Sequence, residues 1–140
     1  MSELVDGQQT TKERYARGKQ TLIRMVGEEG ADKIEEIRRY FPEFGQLLVA
    51  FGFGDLYSSP VFDLKQREMI TLTSLISQGA TEQLPFHLHA ALNVGLTPDE
   101  ILEIVRHCAG YVGFPKACGA LDVVRRVFAE RGVTGCTYAD

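Results

Sequence analysis

Two side chains able to move protons fall where helical spacing places them on apolar faces. Glu68 follows Leu64 by one turn and precedes Leu72 and Leu75 by four and seven residues, so on a helix its carboxylate joins an apolar stripe. A carboxylate taken out of water is costly unless it is paired or protonated. Two readings fit it: a structural acid bonded to a buried donor, or a proton-handling acid. His87 lies in Leu84-Pro85-Phe86-His87-Leu88-His89-Ala90-Ala91-Leu92 and shares a helical face with Leu84, Ala90, Ala91 and Val94. It reads as a hydrogen-bonded core histidine or as half of an acid–base pair. Its partner is Glu68 if the two helices pack as a hairpin, and a Glu–His pair in an apolar pocket is a usable acid–base device.

The other candidates are simpler. His89 sits two residues on, about 200° around the helix, beside Phe86 and Leu92, so it points away from His87 within one subunit. Both faces of this helix are apolar, which predicts burial on two sides, one of them against another subunit. His87-x-His89 suits two metal ligands on a strand rather than on a helix, and no metal is assigned. Pro85 removes an early hydrogen bond, so the helix either starts at Leu84 or kinks there; both adjust the aim of His87. Glu103 and His107 read as a surface pair one turn apart. Cys108 and Cys118 read as small core residues and Cys136 as an exposed thiol in the tail. Three cysteines at wide gaps, with no CxxC and no zinc-finger spacing to a His, give neither a disulfide framework nor a zinc site.

The elements that must position these groups follow a helical period throughout. Thr10 and Glu13 form a capping box that opens a helix to about Met25, closed by Val26-Gly27. Ala31 to Tyr40 is a second, mostly solvated helix with Ile34 and Ile37 as its stripe. Pro42 can start a third, with Phe44, Leu47, Leu48 and Phe51 at helical spacing. Gly52 and Gly54 weaken its end and Ser58-Ser59-Pro60 breaks it. The aromatic stretch 41–57 reads as core, with a pocket wall or a subunit contact as the alternative. Asp63 with Gln66 caps a helix over Leu64–Ser77, which stops at Gly79. Thr81 caps the next, to about Asn93, before Gly95. Thr97-Pro98-Asp99-Glu100 is a strong start signal for a helix through His107 to about Tyr111. Gly113-Phe114-Pro115 is a turn, and Lys116 to Arg131 is the last helix. No strand alternation competes. The expectation is one all-α domain of about six or seven helices over 1–140, with its core from about 15 to 131 and frayed termini.

Composition is that of a globular chain: 140 residues, 44% apolar, 24% charged, net charge −4. Lys and Arg are scattered, with short runs only at Arg38-Arg39 and Arg125-Arg126, so nucleic-acid binding is not expected. No apolar run of membrane-spanning length occurs, and Met1 to Thr11 lacks the apolar core of a signal peptide. The expected setting is cytoplasmic, with no membrane partner.

Three stretches together resemble the carboxymuconolactone decarboxylase and alkylhydroperoxidase D family. They are Arg67-Glu68 heading a helix that ends at Gly79; Phe86 to Leu92 followed by Gly95 and Thr97-Pro98-Asp99-Glu100; and Glu103-Ile104 followed by Tyr111-Val112-Gly113-Phe114-Pro115-Lys116-Ala117. Arg14-Tyr15-x-x-Gly18 also looks like the opening of the decarboxylase branch. The resemblance implies an all-helical fold with a central antiparallel helical pair, a homo-oligomer, often a hexamer built as a trimer of dimers, and neither metal nor organic cofactor. In the peroxidase branch a CxxC precedes the histidine. Aligning that histidine with His87 puts Ala80 and Gln83 at the two cysteine positions, so thiol peroxidase chemistry is not expected.

The decarboxylase branch acts on a small lactone dicarboxylate of aromatic catabolism. Loss of CO2 sends electrons into the conjugated lactone carbonyl, so the site must bind a carboxylate, stabilise an oxyanion and deliver a proton. By resemblance His87 is the proton donor or oxyanion partner and Glu68 tunes or relays. Arg67 and Arg106 are the candidates to hold a substrate carboxylate, and the alternative reading of both is a plain surface charge. His89 stands where that branch has an arginine; a histidine binds a carboxylate less reliably at neutral pH than an arginine does, which leaves room for a different substrate. The expected function is a cofactor-free decarboxylase of a small lactone or keto acid. The alternatives are a proton-transfer isomerase or hydrolase using the same pair, and a non-catalytic oligomeric binding protein in which Glu68 and His87 bond only to each other.

Overall fold

The computed structural model describes residues 10–134; Cys136 and the tail beyond it, and the first nine residues, lie outside the described residues. Six α-helices and one π-helix run along them, with no strand among the described residues: α1 Thr11–Tyr40, α2 Pro42–Leu47, a π-helix Leu48–Tyr57, α3 Leu64–Gln78, α4 Leu84–Asn93, α5 Pro98–Val112 and α6 Phe114–Glu130. They gather into two compact units divided between Val61 and Phe62. No helix among the described residues is long and apolar enough to cross a membrane.

In the first unit, the Thr10 hydroxyl accepts from Glu13 N at 3.1 Å while the Glu13 carboxylate accepts from Thr10 N, completing the capping box. The expected break falls at Gly27, whose φ of 73° and ψ of 176° are open to glycine alone at low cost. The helical run resumes directly beyond it, earlier than the expected start at Ala31. Tyr15 and Glu35 are twenty residues apart, which in a straight helix would separate them by about 30 Å. Yet the Tyr15 hydroxyl donates to the Glu35 carboxylate, so α1 doubles back at Gly27 into a hairpin. Lys19 at 3.4 Å and Arg38 at 2.8 Å complete the ring of donors around Glu35.

The helical run from Pro42 stops at Tyr57, where Ser58-Ser59-Pro60 is expected to break it, but its form is corrected: from Leu48 the chain widens into a π-helix that passes through Gly52 and Gly54. Long-range packing explains this. A Cβ on Gly18 would stand 2.7 Å from Gly54 N and closer still to the Val49 carbonyl oxygen; a Cβ on Gly54 would collide with the Arg14 carbonyl. These glycines therefore let two backbones touch. Ion pairing seals the crossing, with Arg14 Nε at 3.0 and 3.1 Å from the two Asp55 oxygens and Arg17 Nε donating to the Gly54 carbonyl at 2.8 Å. The Ser58 hydroxyl donates to Phe53 O at 2.6 Å and accepts from Thr21 at 2.8 Å, which closes the π-helix. The core reading of the aromatic stretch is also corrected. Phe53 is buried beside Val49 and Ala50, but Phe41, Phe44, Leu47 and Phe51 are exposed.

In the second unit the Asp63–Gln66 box opens α3 and left-handed Gly79 (φ 69°) ends it. α4 begins at Leu84 with Pro85 in its first turn, not at a Thr81 cap; residues 81–83 form a turn in which Gln83 N bonds to Ala80 O at 3.1 Å. Proline's fixed φ and missing donor suit the first turn, and this outweighs the weaker cap signal of Thr81. The Thr97–Glu100 box opens α5, and its hydrogen bonds to Thr97 hold the Glu100 carboxyl below the usual range. α6 starts at Phe114, so Phe114-Pro115 is its first turn rather than a loop. Leu72, Leu88, Ile101, Val105, Ala120 and Val124 bring four helices into one core.

Gly54→Ala is expected to destabilise the protein by about 1–3 kcal/mol, the scale of overpacking, read as a lower urea midpoint. The Glu35 carboxyl is pulled from 4.5 down to about 2, first by the Tyr15 hydroxyl and then by Arg38 and Lys19, against the opposing effect of burial. A depressed acid stabilises the fold above its unfolded pKa and loses that contribution as pH falls through the folded one. The stability gap between wild type and Glu35→Gln, about 1–3 kcal/mol at neutral pH, should therefore shrink as pH drops from 4.5 towards 2. A gap independent of pH would exclude this linkage. The Tyr15 hydroxyl is pushed up to about 12, first by burial and then by Glu35, so its contribution holds below 10 and fades above it.

Candidate active site

The second unit brings Glu68 and His87 together. The Glu68 carboxylate is completely buried on α3, among Leu72 and Ile76. From α4, His87 Nδ1 lies 3.2 Å from both carboxylate oxygens, with 16% of the His87 side chain still exposed. The acid stays in the interior because an imidazole meets it there. In turn the carboxylate orients the ring, presenting Nδ1 inward and Nε2 at the opposite edge. Phe86 packs edge-on against the ring at 5.1 Å. Pro85 fixes where α4 begins, and so the azimuth from which His87 reaches α3.

The remaining candidates make other contacts. His89 faces the end of α6, where Arg131 Nη1 is 3.4 Å from Nδ1 and Glu130 is 3.4 Å from Nε2. Arginine can only donate, so Nδ1 accepts and Nε2 carries the proton towards Glu130. The guanidinium carbon of Arg67 lies over the Phe62 ring, 5.5 Å from its centroid. Arg106 is exposed on α5, beside an apolar groove of about 400 Å³ that also holds Leu102, Phe114 and Leu121. The expected Glu103–His107 pair is corrected: Glu103 pairs with Arg106 at 3.4 Å, and His107 stacks on Tyr111. Cys108 is buried, its thiol pushed up by burial, but Cys118 is exposed in the groove, which corrects its reading as core. Among the described residues, no three or more His, Cys, Asp or Glu side chains converge as metal ligands. The sequence carries no signal for the Arg131–His89 contact, which joins residues 42 apart across two helices.

The sequence model of the carboxymuconolactone decarboxylase family matches residues 42–126. The chain belongs to that family. It is 28% identical over 123 residues to a 4-carboxymuconolactone decarboxylase of Acinetobacter baylyi, covering 87% of this chain and 92% of that protein. It is 35% identical over 105 residues to a nitrosuccinic acid decarboxylase of Metarhizium robertsii, covering 72% of this chain and 73% of that one. The family match spans α2 to α6 and contains both Glu68 and His87.

If each side chain satisfies the other, removing one strands its partner. Glu68→Leu and His87→Leu should each destabilise by roughly 2–4 kcal/mol. The double variant should cost less than their sum, by about 1–3 kcal/mol, in denaturant titrations. Additive losses would show that the two groups are energetically independent.

Proposed function

We propose that the chain is a decarboxylase of a small acid whose departing carboxylate sits on a carbon next to, or conjugated with, an electron-accepting group. The carrying observation is the buried Glu68 carboxylate within 3.2 Å of His87 Nδ1, an acid–base pair embedded in an apolar helical core. The names of the two relatives support the reading. One acts on a carboxylated lactone and the other on a nitro diacid. In both substrates the C–C bond to CO2 can break with its electron pair passing to an internal acceptor, a lactone carbonyl or a nitro group. No cofactor is needed as electron sink.

In this reading His87 gives a proton from Nε2 to the carbanion left by CO2, and water returns it. Glu68 keeps the ring aimed and stabilises the positive charge that the ring carries while it holds two protons. A second substrate carboxylate calls for a cation, for which Arg67, Arg106 and His89 are the candidates. Removing the charge of the one that binds should raise KM more than it lowers kcat. On the lactone branch of the reading, the substrate comes from aromatic catabolism.

The test offers purified protein 4-carboxymuconolactone and nitrosuccinate in turn and follows CO2 release. Turnover of at least one acid is expected, slowed by about a hundredfold or more in His87→Ala, the scale of one acid–base group, and reduced in Glu68→Gln. No CO2 from either acid, or a His87→Ala variant as fast as wild type, overturns the reading.

A further inference from the structure

We infer that Arg67 is the side chain that holds the second carboxylate of the substrate, and that Phe62 is the positioning residue that aims it. The inference rests on the decarboxylase reading above and chooses among its three candidate cations. They differ in what already holds them. Both ring nitrogens of His89 are engaged from the end of α6, Nδ1 by Arg131 and Nε2 by Glu130, each at 3.4 Å. Arg106 has 74% of its side chain in solvent on α5 and is paired with Glu103. Arg67 adjoins Glu68, the acid that holds His87, so the two Cα atoms are about 3.8 Å apart. Its Nε is buried, although the residue as a whole is only partly so. Cation and imidazole are thus tied to one turn of α3, the first through the chain and the second through the 3.2 Å contact with Glu68.

The ring contact explains how the guanidinium is aimed. Asp63 is the N-cap of α3, so Phe62 is the residue before the cap and Arg67 the fourth of the helix. At these two places an apolar pair commonly fastens the incoming chain to the first turn. Here one member is a cation: the Arg67 guanidinium carbon lies over the Phe62 ring, 5.5 Å from its centroid. A leucine at 67 would fasten the turn as well, so the fastening does not call for a charge. What the charge adds is a grip on an anion. The ring face attracts the guanidinium without offering it a lone pair. The N–H groups of a guanidinium lie in its own plane, in a fork that fits the two oxygens of a carboxylate. The Asp63 carboxylate is turned to its capping bond with Gln66 N at 2.8 Å, and no acid lies in the first turn of α3. The positive end of the helix therefore adds to the pull on an anion there. A substrate with two carboxylates would present its reacting carbon to His87 and its other carboxylate to Arg67.

The test is calorimetric binding of succinate to the full-length protein, with circular dichroism to verify that each variant is folded. Succinate keeps both carboxylates of nitrosuccinate and lacks the electron sink, so it binds without reacting. Wild type should bind it saturably. Arg67→Gln should weaken binding at least about tenfold, the worth of a hydrogen bond to a charged group. Arg67→Lys, which keeps the charge but not the fork, should fall between the two. Phe62→Leu, which retains an apolar fastening but no ring face, should weaken binding about two- to fivefold. Phe62→Tyr should restore it, which a loss of packing alone would not predict. In turnover, Phe62→Leu should raise KM with kcat little changed. The proposal is overturned if wild type shows no saturable binding, if Arg67→Gln binds succinate as tightly as wild type, or if Arg106→Gln or His89→Ala costs more than Arg67→Gln. Binding is read without turnover, so the two readings fail separately. A protein that binds succinate through Arg67 yet frees no CO2 from either acid loses the decarboxylase reading and keeps the carboxylate site.

Discussion

A carboxylate held wholly out of water is the constraint around which the second unit is organised. Glu68 can occupy the interior of α3 only if another element delivers a donor to it, and that element must arrive at a fixed height and rotation. The Asp63–Gln66 box and the left-handed turn at Gly79 bracket α3 and fix its length. Residues 79–83 then return the chain within a few steps, and Pro85 marks the first turn of α4, two residues before His87. Leu88 and Ala91 pack the same helix into the common core, so the imidazole is aimed by backbone and packing as well as by its hydrogen bond. The arrangement trades stability for a positioned ionisable pair, since apolar residues of similar volume would fill the space at lower electrostatic cost.

The first unit meets a different constraint, close approach of main chains. Helix α1 bends at Gly27 so that both of its arms lie in the same unit, and the π-helix passes against the first arm at Gly18 and Gly54. Partly exposed polar groups flank this contact: Arg14 and Arg17 pair with Asp55 across it, and Tyr15, Lys19 and Arg38 gather on Glu35 between the two arms of α1.

What could be read from the sequence divides along the same line. Signals confined to one turn were legible: the Thr10, Asp63 and Thr97 boxes, the glycine stop at 79, and the face of α3 on which Glu68 sits. The contact between Glu68 and His87 was legible as a condition, because it required only that two helices joined by a short turn pack together. Features set by distant partners were not. Nothing local distinguishes a glycine that ends a helix from one that admits another backbone, so the π-helix was missed. Nothing local shows that Phe41 and Phe44 face solvent when their spacing suits a core equally well. Arg106 draws Glu103 away from His107 because i+3 and i+4 neighbours compete for one carboxylate. Family likeness reaches α2 to α6 but does not choose among acids that share an electron sink.

The meeting of Gly18 with Gly54 sets a limit on how this fold can drift. Most steric faults inside proteins can be relieved at a second site, by trimming the side chain that the new atom strikes. A Cβ at Gly30 would be of that kind, since the atoms it would strike first belong to the side chain of Val26. At Gly18 and Gly54 the obstacle is a carbonyl oxygen of the main chain, Val49 in one case and Arg14 in the other, and no exchange of amino acid removes a carbonyl. Genetic suppressors of a change at either position must therefore move a whole helix, and lineages of this chain should hold both glycines through substitutions that rewrite the side chains around them.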